Sequence, residues 1–295
     1  VIDLTIIMSC YEQEMLIGQA VKLLCQSEYL PRMELLIIDD ASKEGVGIVQ
    51  HHCKDAADAG FGRVRLLRMD KNVGVSTVRN VGIEEAQGRY LCFHDGDDLW
   101  LDGWADGVKK MDEEGLLMLV TGLRVIAGPT LPDPIPPPVP PTVHPMFRFP
   151  LGETLPYAQT FLVAKRAKTR FKVSLTRPTR FWPVPTSGED NFHKIEVAAE
   201  GPYDRLGENR IFRTDHWGSE VNPPQWHQPT HAELVVKAFH LLHPDLFLPE
   251  VVEAAEEWFA KEGLPADEVI AELEKPYDES LTWWELFCTD ADSGD

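Results

Sequence analysis

The sequence predicts an α/β fold in which a mostly parallel central sheet is flanked by helices and followed by a helical C-terminal extension. Three observations carry that expectation. Short continuous apolar runs, at residues 3–8, at 34–38 and from 89 onward, alternate with stretches of helical apolar spacing. That is the pattern of βαβ units whose strands are buried on both faces. Two of the runs end in acids, Asp39-Asp40 and Asp95-Gly96-Asp97-Asp98, which places carboxylates along one rim of the sheet. Open α/β sheets bind ligands on that rim, outside the carboxyl ends of their strands. Beyond residue 222 the strand signals stop and helical ones take over.

The elements follow in order. Residues 3–8 read as a buried strand ending at Ser9-Cys10-Tyr11, and residues 14–26 carry Leu16, Ala20, Leu23 and Leu24 at helical spacing. A second apolar strand at 34–38 runs into Asp39-Asp40-Ala41-Ser42; a weakly amphipathic helix over 46–59 and a strand over 63–67 come next. Ser76 is expected to cap a helix running to about Ala86, with Gly88 as its stop. The strand from Arg89 leads into the acids, then a helix over 103–113 and a strand over 116–121. Residues 128–145 are too rich in proline for a helix or a central strand and read as a surface loop or polyproline excursion. Thr230-His231-Ala232-Glu233 is a capping box opening a helix to about His243. Further helices are expected over 249–261 and from Pro265 to about Glu274.

Composition narrows the partners. The 295 residues carry a formal net charge of −20, and from Asp245 to Asp295 there are 16 acidic residues against Lys261 and Lys275. So acidic a body is repelled by nucleic acid and by anionic membrane surfaces. The five cysteines are odd in number and form no C-x-x-C, which points to reduced thiols and a cytoplasmic setting. No run approaches the roughly 20 apolar residues of a membrane span, and the chain enters its first strand with no signal-peptide pattern.

The acids at the strand ends suit a hard divalent cation, Mn²⁺ or Mg²⁺, which in turn grips the phosphates of a nucleotide. Asp40 can accept from a base N–H, and Tyr11 can lie flat against a base ring or pack in the core. Arg79 stands one turn into a helix whose N-terminus faces the same rim, where it can add positive charge toward phosphates. Asp290-Ala-Asp292 near the C-terminus repeats the Asp-x-Asp spacing without a preceding strand and reads as a decoy. His240 and His243 share a helical face, but no cysteine or acid completes a ligand set with them.

Four segments in register then identify a likeness. Residues 5–11 (TIIMSCY), 36–42 (LIIDDAS), 72–83 (NVGVSTVRNVGI) and 93–100 (FHDGDDLW) resemble, in order, the conserved segments of the nucleotide-binding half of family 2 glycosyltransferases, the inverting GT-A type that uses nucleotide-sugar donors. Shorter likenesses continue the series. Residues 160–165 resemble the strand along the acceptor site, Gly188-Glu189-Asp190 the "GED" that opens the helix of the catalytic base, and 211–219 the closing segment.

The resemblance implies roles. Ser9, Tyr11 and Asp40 hold the base, Asp95 the ribose and through water the metal, and Asp97 is the direct metal ligand, in a DxD motif with Gly96 between. Asp190 is the general base, with Glu189 as a rival or an orienting group, and Arg213 and His216 close over the diphosphate. Ser9 stands where many relatives carry proline and Glu12 where they usually carry asparagine, so the donor base stays open, with UDP-sugars favoured. The Q-x-x-R-W motif of processive synthases is absent.

The implied organisation is a nucleotide-sugar-binding half at 1–122, an acceptor-binding and catalytic-base half at 123–222, and an acidic helical region at 223–295. The expected activity is metal-dependent, inverting, non-processive transfer from a nucleotide diphosphate-sugar to a hydroxyl of a saccharide, lipid-linked sugar or other small acceptor. Two alternatives remain. A nucleotidyltransferase would show a glycine-rich basic loop after the first strand, where this chain has Ser9-Cys10-Tyr11-Glu12-Gln13-Glu14. The other is a non-catalytic nucleotide-binding module on the same fold.

Overall fold

The computed structural model describes residues 1–127, 143–148, 154–156, 158–176, 181, 189–215 and 229–275. Its first half alternates strand and helix: β1 Leu4–Cys10, α1 Glu14–Leu24, β2 Met33–Asp39, α2 Val46–Ala59, β3 Arg63–Arg68, α3 Val75–Glu85, β4 Tyr90–Asp95, β5 Leu99–Trp100, α4 Trp104–Glu114 and β6 Met118–Ala127. A small antiparallel pair follows, β7 Val143–Arg148 and β8 Thr154–Pro156, then β9 Ala158–Ala164, α5 Glu189–Glu200 and β10 Tyr203–Asp215. Three helices close the described chain: α6 Pro229–Leu242, α7 Pro249–Glu262 and α8 Ala266–Leu273.

The main sheet has eight strands in the order β3-β2-β1-β4-β9-β6-β10-β5. Strands β3, β2, β1 and β4 are mutually parallel, β9 runs antiparallel between β4 and β6, and β10 pairs parallel to β6. The apolar runs of β1 and β2 are buried along almost their whole length, as strands covered on both faces must be. Alternate side chains feed two cores. Leu4, Ile6 and Met8 meet Ile17, Leu24 and Val49 of α1 and α2, along with Trp104 of α4. Ile7, Leu36 and Ile38 face Val78 and Ile83 of α3 and Val197 of α5. A third core joins Phe192 and Ile195 of α5 to Val235 and Phe239 of α6, Phe259 of α7 and Val269 of α8. The C-terminal helices therefore brace the helix that begins with Glu189 and Asp190.

Four local expectations are corrected. Ser76 is the second residue of α3, not its cap; Gly74 holds the cap position with φ 82°, and Ser76 is fully buried. Gly88 does not terminate that helix, which ends at Glu85. Its need for glycine comes from close approach, since a Cβ there would stand 2.5 Å from the Thr5 amide nitrogen of β1. Helix α6 starts at Pro229, one residue ahead of the capping box read at Thr230. Of the proline-rich residues 128–145, read as a surface loop, 143–145 instead open strand β7 of the small antiparallel pair, and the rest lie outside the described residues, as do Ser187, Gly188, His216 and residues 276–295.

Candidate functional site

The carboxyl ends of β1, β2 and β4 stand side by side because those strands are parallel and in register, with Ser9 opposite Asp95 and Cys10 opposite Asp39. Ser9 Oγ donates to Asp95 Oδ1 at 3.3 Å. Just beyond β1 the chain turns through Tyr11, half-buried, and Glu12, whose φ of 52° lies in the left-handed region. Ala41, just beyond β2, is left-handed too, with φ 64°. The two turns are stitched together: Glu12 N–H donates to Ser42 Oγ at 3.0 Å, and Lys43 N–H donates to Glu12 Oε1 at 3.0 Å. Non-glycine residues in this region cost about 1–2 kcal/mol each, and such strain gathers where function needs a fixed backbone.

Asp40 is buried, and its carboxylate accepts the Val73 N–H at 2.8 Å and the Gly74 N–H at 2.9 Å. It thereby fixes the chain leading into α3 and points that helix's N-terminus at the rim. The rest of that segment's motif resolves into mechanics. Asn80 pairs with the Phe171 backbone through two hydrogen bonds of 3.0 and 2.9 Å. Gly82 lets α3 lie on β1, since a Cβ there would stand 2.3 Å from Ile7 Cγ2.

Arg79, only 5% exposed, is the junction of the site. Its two terminal nitrogens donate at 2.8 Å to Asp95 Oδ1 and at 2.8 Å to Glu189 Oε1, and its guanidinium lies 5.1 Å from the Phe171 ring centroid. The sequence suggested that it faces phosphates; here its fork is committed to two carboxylates 94 positions apart in the chain, Asp95 and Glu189. Despite desolvation, those carboxylates raise its affinity for its proton. Burial pushes the Glu189 carboxyl up, Arg79 opposes that, and Asp190 adds to it. Asp190 sits beside Glu189 in the first turn of α5, with Lys194 Nζ 3.7 Å from its Oδ2.

Gly96 and Asp97 form the turn after β4; Gln13 Nε2 donates to Asp97 Oδ2 at 3.3 Å. A Cβ at Gly96 would meet the Ser9 carbonyl oxygen at 3.4 Å, an ordinary contact. His94, buried before the acids, donates from Nδ1 to the Asp95 carbonyl at 2.7 Å and stacks on Trp100; burial pushes it down to about 4. The carbonyl can only accept, so Nδ1 carries the proton. Arg213 lies on β10 with its side chain, like the whole of His216, outside the described residues. Sequence reading missed Gln13, Phe171, His193 and Lys194. Of these only Lys194 left a trace, four positions after Asp190 on one helix face.

The donor set fits a hard divalent cation. Asp95 Oδ1 is engaged by Arg79 and Ser9, and Asp97 Oδ2 by Gln13; these two carboxylates are the ones that could hold such an ion, which takes one or two carboxylates and fills its shell with water and phosphate. Among the described residues no group of three or more His, Cys, Asp or Glu forms a protein-only cage.

A mostly parallel sheet with this strand order, a carboxylate rim and a second acidic pair on α5 is a GT-A-like fold. Solved structures share it. Staphylococcus aureus TarS in complex with UDP-GlcNAc matches with a TM-score of 0.58 at 15% identity, over 92% of this chain and 71% of that one. GalNAc-T7 with UDP, GalNAc and Mn²⁺ matches with a TM-score of 0.53 at 15% identity, over 92% of this chain and 57% of that one. The chain belongs to glycosyl transferase family 2, whose sequence profile matches residues 5–174.

Among curated relatives, TuaG of Bacillus subtilis, a glycosyltransferase assigned to teichuronic acid biosynthesis, is 30% identical over 98 residues, 33% of this chain and 37% of that protein. WfgD of Escherichia coli, a UDP-Glc:α-D-GlcNAc-diphosphoundecaprenol β-1,3-glucosyltransferase, is 29% identical over 124 residues, 42% of this chain and 44% of that protein. The chain thus spans less than half the length of these relatives. No helix among the described residues is long and apolar enough to cross a membrane.

Proposed function

We propose that the protein is a metal-dependent, inverting glycosyltransferase that moves one sugar per encounter from a nucleotide diphosphate-sugar, a UDP-sugar by preference, to a hydroxyl of a saccharide or lipid-linked acceptor. The observation that carries this reading is the Asp95–Arg79–Glu189 bridge. It draws the strand end that would hold the donor and the helix end that would hold the base into one part-buried unit around Arg79.

Residues 1–122 would bind the donor. Ser9, Tyr11 and Asp40 with the turn that follows it would line the base, Asp95 would reach the ribose, and Asp97 would hold the cation. When bound, the cation supplies Lewis-acid stabilisation of the negative charge that grows on the departing diphosphate. Residues 123–222 would bind the acceptor and present Asp190. Its carboxylate takes the acceptor hydroxyl proton as that oxygen bonds to the anomeric carbon and the bond from carbon to the diphosphate oxygen breaks. One displacement of this kind inverts the centre. Arg79 serves by fixing Asp95 and Glu189, and Asp40 by orienting α3, whose N-terminus favours phosphate. Arg213 and His216 are assigned to closing over the diphosphate.

The test is Asp190→Asn, assayed for UDP release from UDP-sugars with and without saccharide acceptors, alongside UDP binding. The reading expects turnover to fall by a factor of about 10²–10⁴, the usual share of a general base, with UDP affinity unchanged. Unaltered turnover removes Asp190 from the mechanism.

A further inference from the structure

Helix α5 carries a lysine where its packing calls for an apolar residue. Phe192, Ile195 and Val197 around it are buried, and Lys194 is itself only 4% exposed. A buried ammonium is costly unless paired. Its partner is Asp190, one turn earlier on the same face, at 3.7 Å. The two differ in depth: the Asp190 side chain is 30% exposed, so the carboxylate stands at the surface of the site and the lysine beneath it.

The other cation at this junction, Arg79, hydrogen-bonds Asp95 and Glu189 through its two terminal nitrogens and attracts Asp190 through space. Asp190 and Glu189 of its own helix favour the Lys194 ammonium, and Arg79 of α3 opposes it. Burial is the largest influence and lowers its affinity for a proton. His193, the neighbour on α5, is stacked flat on Phe171 with its proton affinity driven down to about 3, and so adds no positive charge at neutral pH. Of the direct contacts, Glu189 takes a hydrogen bond from Arg79 and Asp190 stands against Lys194.

We infer that Lys194 is a positioning residue for the proposed base, holding the Asp190 carboxylate in place at the surface of the site from underneath. This rests on the glycosyltransferase reading above and adds to it a second charged residue that never touches substrate. In the transfer step the acceptor proton passes to Asp190, while Lys194 keeps its own proton throughout.

The coupling between the two groups is reciprocal, so it can be read on the lysine without any substrate. The experiment is a pH titration by NMR of protein carrying [¹³Cε]lysine, with the Lys194 signal assigned by its loss in Lys194→Arg. Removing the partner's charge in Asp190→Asn is expected to lower the Lys194 midpoint by about one pH unit or more, as loss of an opposite charge within ~4–6 Å does. Asp190→Ala serves as a second partner-deletion variant if the first fails to fold by circular dichroism. A midpoint that stays put in the folded variants overturns the inference. The result is independent of turnover. Coupling with undiminished transfer in Asp190→Asn would leave the ion pair standing and fell the assignment of the base.

Discussion

The two sides of the candidate site are built on opposite physical plans. On the side formed by β1, β2 and β4, the candidate groups sit on short turns directly after strands, and the structure there stores backbone strain, with Glu12 and Ala41 in left-handed conformations. On the side where α3 meets α5, the described groups are charges sunk into the fold, Arg79, Glu189 and Lys194 among them. One side is held by local geometry and the other by long-range electrostatics. Substitutions should accordingly act with opposite sign on the two sides: relaxing the strained rim adds stability, whereas touching the charge junction removes it.

Arg79 tests that contrast most severely, since it joins the two sides. Arg79→Met leaves Asp95 and Glu189 without their cation in a buried setting and should cost about 3–5 kcal/mol in urea denaturation. A loss below about 1 kcal/mol would mean that the bridge is solvated and the two sides independent. Next comes the amide clamp that seats Phe171 beneath Arg79. Asn80→Leu leaves the Phe171 N–H and C=O without their partners, at a cost of about 2 kcal/mol by the same measurement.

Acid should weaken both sides, through buried His94 on the rim and buried His193 on α5. His193 has its proton affinity lowered to about 3 by burial, while in the unfolded chain it titrates near 6.5. Below 6.5 the unfolded state binds more protons than the folded one. The stability that neutral His193 contributes is therefore complete above 6.5 and falls as pH drops toward its folded value, by about 1.4 kcal/mol per pH unit. His193→Phe, which preserves the stack on Phe171, should flatten the acid limb of a denaturation profile by that amount. An unchanged slope would place the lability elsewhere. The smallest effect belongs to the strained rim and has the other sign. Ala41→Gly should raise stability by about 1 kcal/mol, because glycine holds a φ of 64° without a Cβ clash.

The same division explains what could be read in advance. The buried strands announce themselves as apolar runs, and the acids at their ends are visible because a strand's last residue is its neighbour in sequence. Helix α2 falls at residues 46–59 as its spacing indicated. The α5 junction was harder, since Arg79 and Glu189 are 110 positions apart and nothing local marks either as the other's partner. Ser76 and Gly88 misled for a related reason. Their residue types suggest caps, but tertiary contacts decide: one is sealed inside the site, and the other lies against the backbone of β1. Glu12 shows the reverse. Its departure from the asparagine usual in the family looked like a matter of donor choice, yet the position is left-handed, which asparagine tolerates well and glutamate does not.

The measurement that bears most directly on the central claim is nucleotide binding, followed by thermal shift with UDP, GDP, dTDP, CDP and ADP, each with and without Mn²⁺, in the native protein and in Asp97→Ala. A ligand that binds only the folded state raises the midpoint by mass action. The account predicts a shift with UDP that grows with Mn²⁺ in the native protein and loses its metal dependence in Asp97→Ala. No shift from any nucleotide, or a metal-dependent shift that survives the loss of Asp97, would contradict it.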